Sequence, residues 1–284
     1  MDTDGDLSLK VGDTKCVTFS LNGCDSDHCD PDSDHEHELP VIYIVCSKTL
    51  SRASPVWKAL LYGGFAESKP LYASSASDWV VELPDDNPKA MATILNIIHS
   101  RFESTPRATE PIDLEDLYQL AVLTDKYDLT ATLRPWVSAW MEYAREEYEQ
   151  LKRQEADFLV SHLERLSWIS WEMGDAYLYE KVSQDLAHRC SVDVNGHLQY
   201  EIGDEMVPLF NSTLEPPGHR DELKVIRLNY IKNALAIYED AVAQLFKPPR
   251  SLLPATIYRS LGLGTGPCQQ PVMFEGTSTE CVVF

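Results

Sequence analysis

Cys24, His28, Cys29, His35 and His37 crowd into one short stretch of this 284-residue chain, and thiolate and imidazole are the ligands zinc prefers. Their spacing, Cys-x3-His-Cys followed by His-x-His, matches no usual finger. The adjacent His28 and Cys29 cannot easily both reach one tetrahedral ion. The aspartates among them offer hard oxygens, yet the stretch lacks the glycine and terminal glutamate of a calcium loop. The expectation is adventitious clustering, with no metal site and no cofactor; a metal-binding acidic sensor working through residues 22–38 is kept as an alternative.

Nucleophiles are no better supported. Cys46 follows an apolar run and Cys190 lies two residues after His188, but free cysteines are mostly small buried hydrophobes. No Gly-x-Ser-x-Gly, phosphate-binding Gly-x4-Gly-Lys or His-Glu-x-x-His motif occurs. The sequence therefore predicts no catalytic residue and no enzyme. Trp136, Trp140, Trp168 and Trp171 sit at helical spacing and are expected in a core rather than in an aromatic binding site. The final Cys281-Val282-Val283-Phe284 fits a prenylation signal, but the segment before it holds no basic residue, so a chance ending is expected.

Composition narrows the function classes. With 45 acidic against 24 basic residues the formal charge is −21, which opposes binding to phosphate backbones and anionic lipid surfaces. Seven cysteines without scaffold spacing, and an opening segment without the pattern of a secretory leader, predict thiols in an intracellular setting, cytoplasm or nucleus. No apolar run is long enough to span a bilayer, so no stable membrane insertion is expected. Partners are expected to be other proteins.

The elements follow from periodicity. Leu7–Val11 and Val17–Leu21 alternate like half-buried strands, and residues 22–38 are too polar to order and read as a mobile acidic loop. The continuous run Val41–Val45 reads as a buried strand. Ser54-Pro55 and Asn87-Pro88 are cap-plus-proline helix starts, and Trp79, Val81 and Leu83 alternate before Pro84. Asp113 opens another helix, and Pro135 places the start of the next near Thr132. Helical faces continue through Leu163, Leu166, Leu178, Val182 and Leu186. They end in a long amphipathic helix, Arg220–Phe246, through Leu223, Ile226, Tyr230, Ala234, Ile237, Ala241 and Leu245. Residues 191–217 read as turn-rich, and 247–284 as a flexible tail. Few strands followed by helices make an α+β pattern.

Three blocks then resemble a known family. Leu50 with Ser54-Pro55-Val56-Trp57 is the first, inside residues 45–67; Leu83-Pro84-Asp85-Asp86-Asn87-Pro88 is the second, inside 79–102. Ala121-Val122-Leu123-Thr124-Asp125-Lys126-Tyr127-Asp128, inside 112–141, is the third. In this order and spacing they resemble a BTB/POZ domain of the type common in filamentous fungi. Trp171-Glu172-Met173-Gly174-Asp175 and Glu180-Lys181-Val182 are similar to the helical extension such members carry. The resemblance implies a BTB/POZ-like domain at 5–145 with an acidic insertion at 22–38, an all-helical extension at 146–246 and a flexible tail at 247–284. It gives Leu50, Ser54, Pro55, Trp57, Leu83, Pro84, Asp125, Lys126 and Tyr127 structural roles. It also implies a homo- or hetero-dimerising scaffold or adaptor, with a cullin-type ubiquitin ligase as an alternative partner. Cys46-Ser47 stand where animal members usually have His-Lys, and no hydrophobic-x-Glu motif lies between Met91 and Thr105.

Overall fold

The computed structural model describes residues 4–12, 40–72, 75–105, 112–153 and 159–246. The proposed strand Val17–Leu21, the Cys/His stretch, the acidic loop and the tail with Cys281 lie outside the described residues.

Strand β1 (Leu7–Val11) is the middle of a three-stranded sheet. Its alternation puts Leu7, Leu9 and Val11 fully into the core. β2 (Val41–Val45) runs antiparallel to it, Leu7 opposite Val45, and β3 (Val80–Leu83) runs parallel, Val11 opposite Leu83. The reading of Val41–Val45 as a buried strand is corrected here. Among the described residues β2 is an edge strand, with Tyr43 and Val45 inward and Ile42 and Ile44 exposed, Ile42 by 64%. Apolar residues on both faces hid the alternation.

Helices cover the inner face. α1 (Ser47–Ala53) and α2 (Pro55–Tyr62) form a pair, and α2 ends at Gly63-Gly64, where Gly64 takes a left-handed φ of 84°. α3 (Pro88–Ile98) starts where expected, with the Asn87 side chain accepting from the Ala90 N–H at 2.9 Å, and buries Met91, Ile94 and Leu95. α4 (Leu114–Lys126) is capped by Asp113. α5 (Thr130–Leu151) begins two residues before the expected Thr132, so Pro135 falls in its second turn. The earlier start is fixed by the Leu129 carbonyl, which accepts from the N–H groups of Thr132 and Leu133.

α6 (Leu159–Met173) packs on α4, α5 and α7 (Ala176–Arg189), and its Leu163, Leu166 and Ile169 join the same core. Trp140 and Trp168 are buried as expected; Trp171 is 37% exposed. The expectation that 146–246 holds helices only fails at residues 191–208. There β4 (Ser191–Val192), β5 (Leu198–Ile202) and β6 (Glu205–Pro208) form an antiparallel meander. Its turns carry Gly196 and Gly203, both at positive φ, with Asp193 accepting from the N–H groups of Asn195 and His197. The α+β class stands.

α8 (His219–Leu245) closes the described chain. Two compact units divide within it, residues 1–231 and 232–284. In the first unit Leu223 is fully buried, and Ile226 and Tyr230 pack against the core. In the second, every described side chain is exposed, Ile237 and Leu245 among them. The expected single amphipathic face is therefore buried only in its first turns. No helix among the described residues is long and apolar enough to cross a membrane.

Candidate functional site

Ser54 has two jobs. Its Oγ accepts the Trp57 N–H at 3.0 Å, capping α2, and donates to the Tyr127 carbonyl at 2.5 Å. That carbonyl is presented by the way α4 stops: Asp128 is left-handed at φ 50°, and the Leu129 N–H reaches back to the Thr124 carbonyl at 2.9 Å. The Trp57 indole stacks on the Tyr127 ring, centroids 4.4 Å apart and planes 10° from parallel. On the far side of that ring the Tyr127 hydroxyl donates to one carboxylate oxygen of Asp86, and the Lys126 Nζ lies 2.6 Å from the other. Asp86 is 3% exposed and sits in the turn between β3 and α3.

Three distant segments are thus clasped together: the start of α2, the β3–α3 turn and the end of α4. Burial, with the Asp86 charge beside it, pushes ionisation of the Tyr127 hydroxyl far above the usual tyrosine range. The phenol is a fixed donor to the buried Asp86, and the arrangement ties three segments of the fold together.

Of the residues singled out from the sequence, Ser54, Trp57, Lys126 and Tyr127 meet directly. Leu83 contributes its carbonyl, which accepts from the N–H groups of Gly12 and Asp86. Leu50 is fully buried, and its carbonyl receives the Ser54 N–H at 3.1 Å. Pro55 and Pro84 are exposed and act through backbone shape. Asp125 is exposed, and its carbonyl accepts from the N–H groups of Tyr127 and Asp128 where α4 ends. Asp86 was quoted within its block but given no role. Its signal was a carboxylate placed after a strand and between two prolines.

A second buried carboxylate organises the extension. Glu164, on α6 and 1% exposed, accepts from the Phe210 N–H at 2.5 Å and from the Thr213 hydroxyl at 3.3 Å. It holds the strap after β6, where Phe210 has a left-handed φ of 57° and the Leu214 N–H donates to the Tyr118 hydroxyl at 2.8 Å. Burial raises its carboxyl above the usual range, against the pull of Arg165 and Arg220. At the start of α8, buried His219 meets Tyr179, whose hydroxyl also donates to Glu222 at 2.9 Å; burial lowers the histidine.

Cys46 meets a histidine through its backbone. The Cys46 N–H donates to His99 Nε2 at 3.1 Å, which leaves His99 Nδ1 as donor to the Leu95 carbonyl. Burial, with Glu164 nearby, pushes the Cys190 thiol up to about 12, away from thiolate character. The His188 ring packs against Tyr230, centroids 3.8 Å apart and planes tilted by 34°. Among the described residues no group of three or more His, Cys, Asp or Glu is placed to hold a metal ion. An open cleft of about 550 Å³ is lined by Thr49, Arg52, Ala53, Ile98, His99 and Ser100.

What the described surface does offer is apolar. On the outer face of the first sheet Ile42, Ile44 and Val80 are 64%, 40% and 52% exposed, beside the cross-strand pair Lys10–Glu82. No protein-family model and no curated protein matches the chain.

Proposed function

We propose that this chain is a non-enzymatic protein–protein interaction module of the BTB/POZ kind, acting inside the cell as a self-associating scaffold or adaptor. The observation that carries the reading is the clasp. Three blocks picked out by resemblance, about 30 to 40 residues apart in sequence, supply the residues that stack and hydrogen-bond around Asp86 and Tyr127. Through α7 the elements run strand, strand, helix pair, strand, then helices, an α+β order. The outer sheet face supports a partner role, because clustered exposed aliphatics favour a protein surface over water. The acidic balance argues against nucleic acid as the partner.

Light scattering on the full chain, with affinity purification from its native source, tests the reading. A mass above the monomer at micromolar concentration, or a reproducible protein partner lost with Ile42→Asp/Ile44→Asp, is expected. A strict monomer that takes no protein partner overturns it.

A further inference from the structure

α8 carries two apolar stripes. Leu223, Ile226 and Tyr230 are used against the core, with the Arg227 guanidinium donating to the Ala187 carbonyl at 3.1 Å. The other stripe, Leu228, Ile231, Leu235, Tyr238, Val242 and Leu245, is spaced 3-4-3-4-3, and its members are 46% to 83% exposed. At 100° per residue it lies about a third of a turn from the first. A 3.5-residue apolar repeat is the pattern that wraps one helix around another, with Leu228, Leu235 and Val242 at the first core position of each heptad.

We propose that this seam is a self-association site that pairs antiparallel with the same seam of a second copy of the chain. Leu228 then faces Leu245, Ile231 faces Val242 and Leu235 faces Tyr238 across the dyad. The flanking charges select both occupant and direction. An antiparallel pair sets Lys232 beside Glu239 of the other copy, twice, whereas a parallel in-register pair sets Arg227 beside Lys232, like against like. Antiparallel pairing also brings Ala234 against Ala241, where small side chains let the backbones approach. Glu239 and Asp240 beside the seam, on a chain of charge −21, disfavour a lipid surface as the occupant. The seam is about 27 Å long, which places the association in the weak, reversible class. It does not rest on the sheet-face reading, since no residue is shared.

Sedimentation equilibrium on the full chain decides it. Leu235→Asp/Val242→Asp, both on exposed sites, lowers the assembly mass while the thermal midpoint and circular dichroism stay as in the wild type. Lys232→Glu weakens association by roughly threefold to tenfold, and Lys232→Glu/Glu239→Lys restores it. In a parallel dimer Lys232→Glu would instead tighten association, which overturns the direction. A wild-type chain whose mass is unchanged by Leu235→Asp/Val242→Asp overturns the seam itself, and loss of mass only with Ile42→Asp/Ile44→Asp assigns association to the sheet face.

Discussion

Asp86 and Glu164 are the same device built twice. Each is a carboxylate at most 3% exposed, and each fastens a segment 40 or more residues away. Their surroundings differ. Asp86 has a lysine ammonium at 2.6 Å and a phenol hydroxyl, so its charge is compensated where it sits. Among the described residues Glu164 accepts only from a backbone N–H and a hydroxyl. The neighbouring cations are engaged elsewhere: Arg165 Nε pairs with Glu115 at 2.6 Å, and Arg220 pairs with Glu215 at 3.2 Å. A buried ion without a partner costs more than it returns, so the amino-terminal clasp is the stronger fastening and the strap the more conditional one.

The widest separation is expected from the aromatic half of the clasp. Trp57 is fully buried and stacked on Tyr127, so Trp57→Ala removes its packing and leaves a cavity at the junction of α2 and α4. A loss of about 3–5 kcal/mol is expected in urea unfolding monitored by fluorescence. The carboxylates come next. Asp86→Ala strands the Tyr127 hydroxyl and costs about 2–3 kcal/mol. Glu164→Ala strands the Phe210 N–H but also removes a poorly solvated charge, for a smaller loss of about 1–2 kcal/mol at neutral pH. If Glu164→Ala proved the more damaging of the two, the ranking drawn from their partners would be broken.

The two fastenings were unequally legible in the sequence. Ser54, Asn87 and Asp113 announced their helices because capping is a local matter, and Leu7–Val11 showed its period because Ser8 and Lys10 make one face polar. Ser54, Trp57, Lys126 and Tyr127 were marked through the block resemblance. Asp86 was not separable from Asp85, since the two differ in burial alone. Glu164 lies among the ordinary charges of an amphipathic helix, and its partner strap is 46 residues away. α1 buries only Ser47 and Leu50, too few positions to show a helical period. β4 has two residues and β6 four, mostly exposed, too short to show a period, so only their glycine turns signalled them. The exposed seam of α8 was masked because its apolar residues surround the helix, and the stripe that reaches the core was read first.

Removing one atom probes the clasp more gently. Tyr127→Phe keeps the stacking on Trp57 and the backbone bond to Ser54 but deletes the hydroxyl that serves Asp86. Asp86 retains Lys126, so the expected loss is about 1–2 kcal/mol, below that of Asp86→Ala. A loss as large as that of Asp86→Ala would show that the phenol, and not the ammonium, compensates the carboxylate.

The smallest effect is a change of slope with pH. Burial raises the Glu164 carboxyl above its unfolded value of 4.5, so the ionised form weakens the folded state at neutral pH. As pH falls through the raised value toward 4.5, the folded chain takes up the proton first, and this penalty is relieved. His219 has the opposite sign: its folded value lies below 6.5, and its contribution is lost as pH falls through 6.5 toward that value. The raw stability curve mixes the two, so the reading comes from the difference between wild type and Glu164→Gln, which keeps an acceptor for the Phe210 N–H. Chemical unfolding from pH 7 to 4.5 is expected to show the wild type gaining on Glu164→Gln throughout the acid half of that range. Parallel curves for wild type and Glu164→Gln would mean that the strap carboxylate is as well compensated as the clasp, and the contrast between the two regions would close.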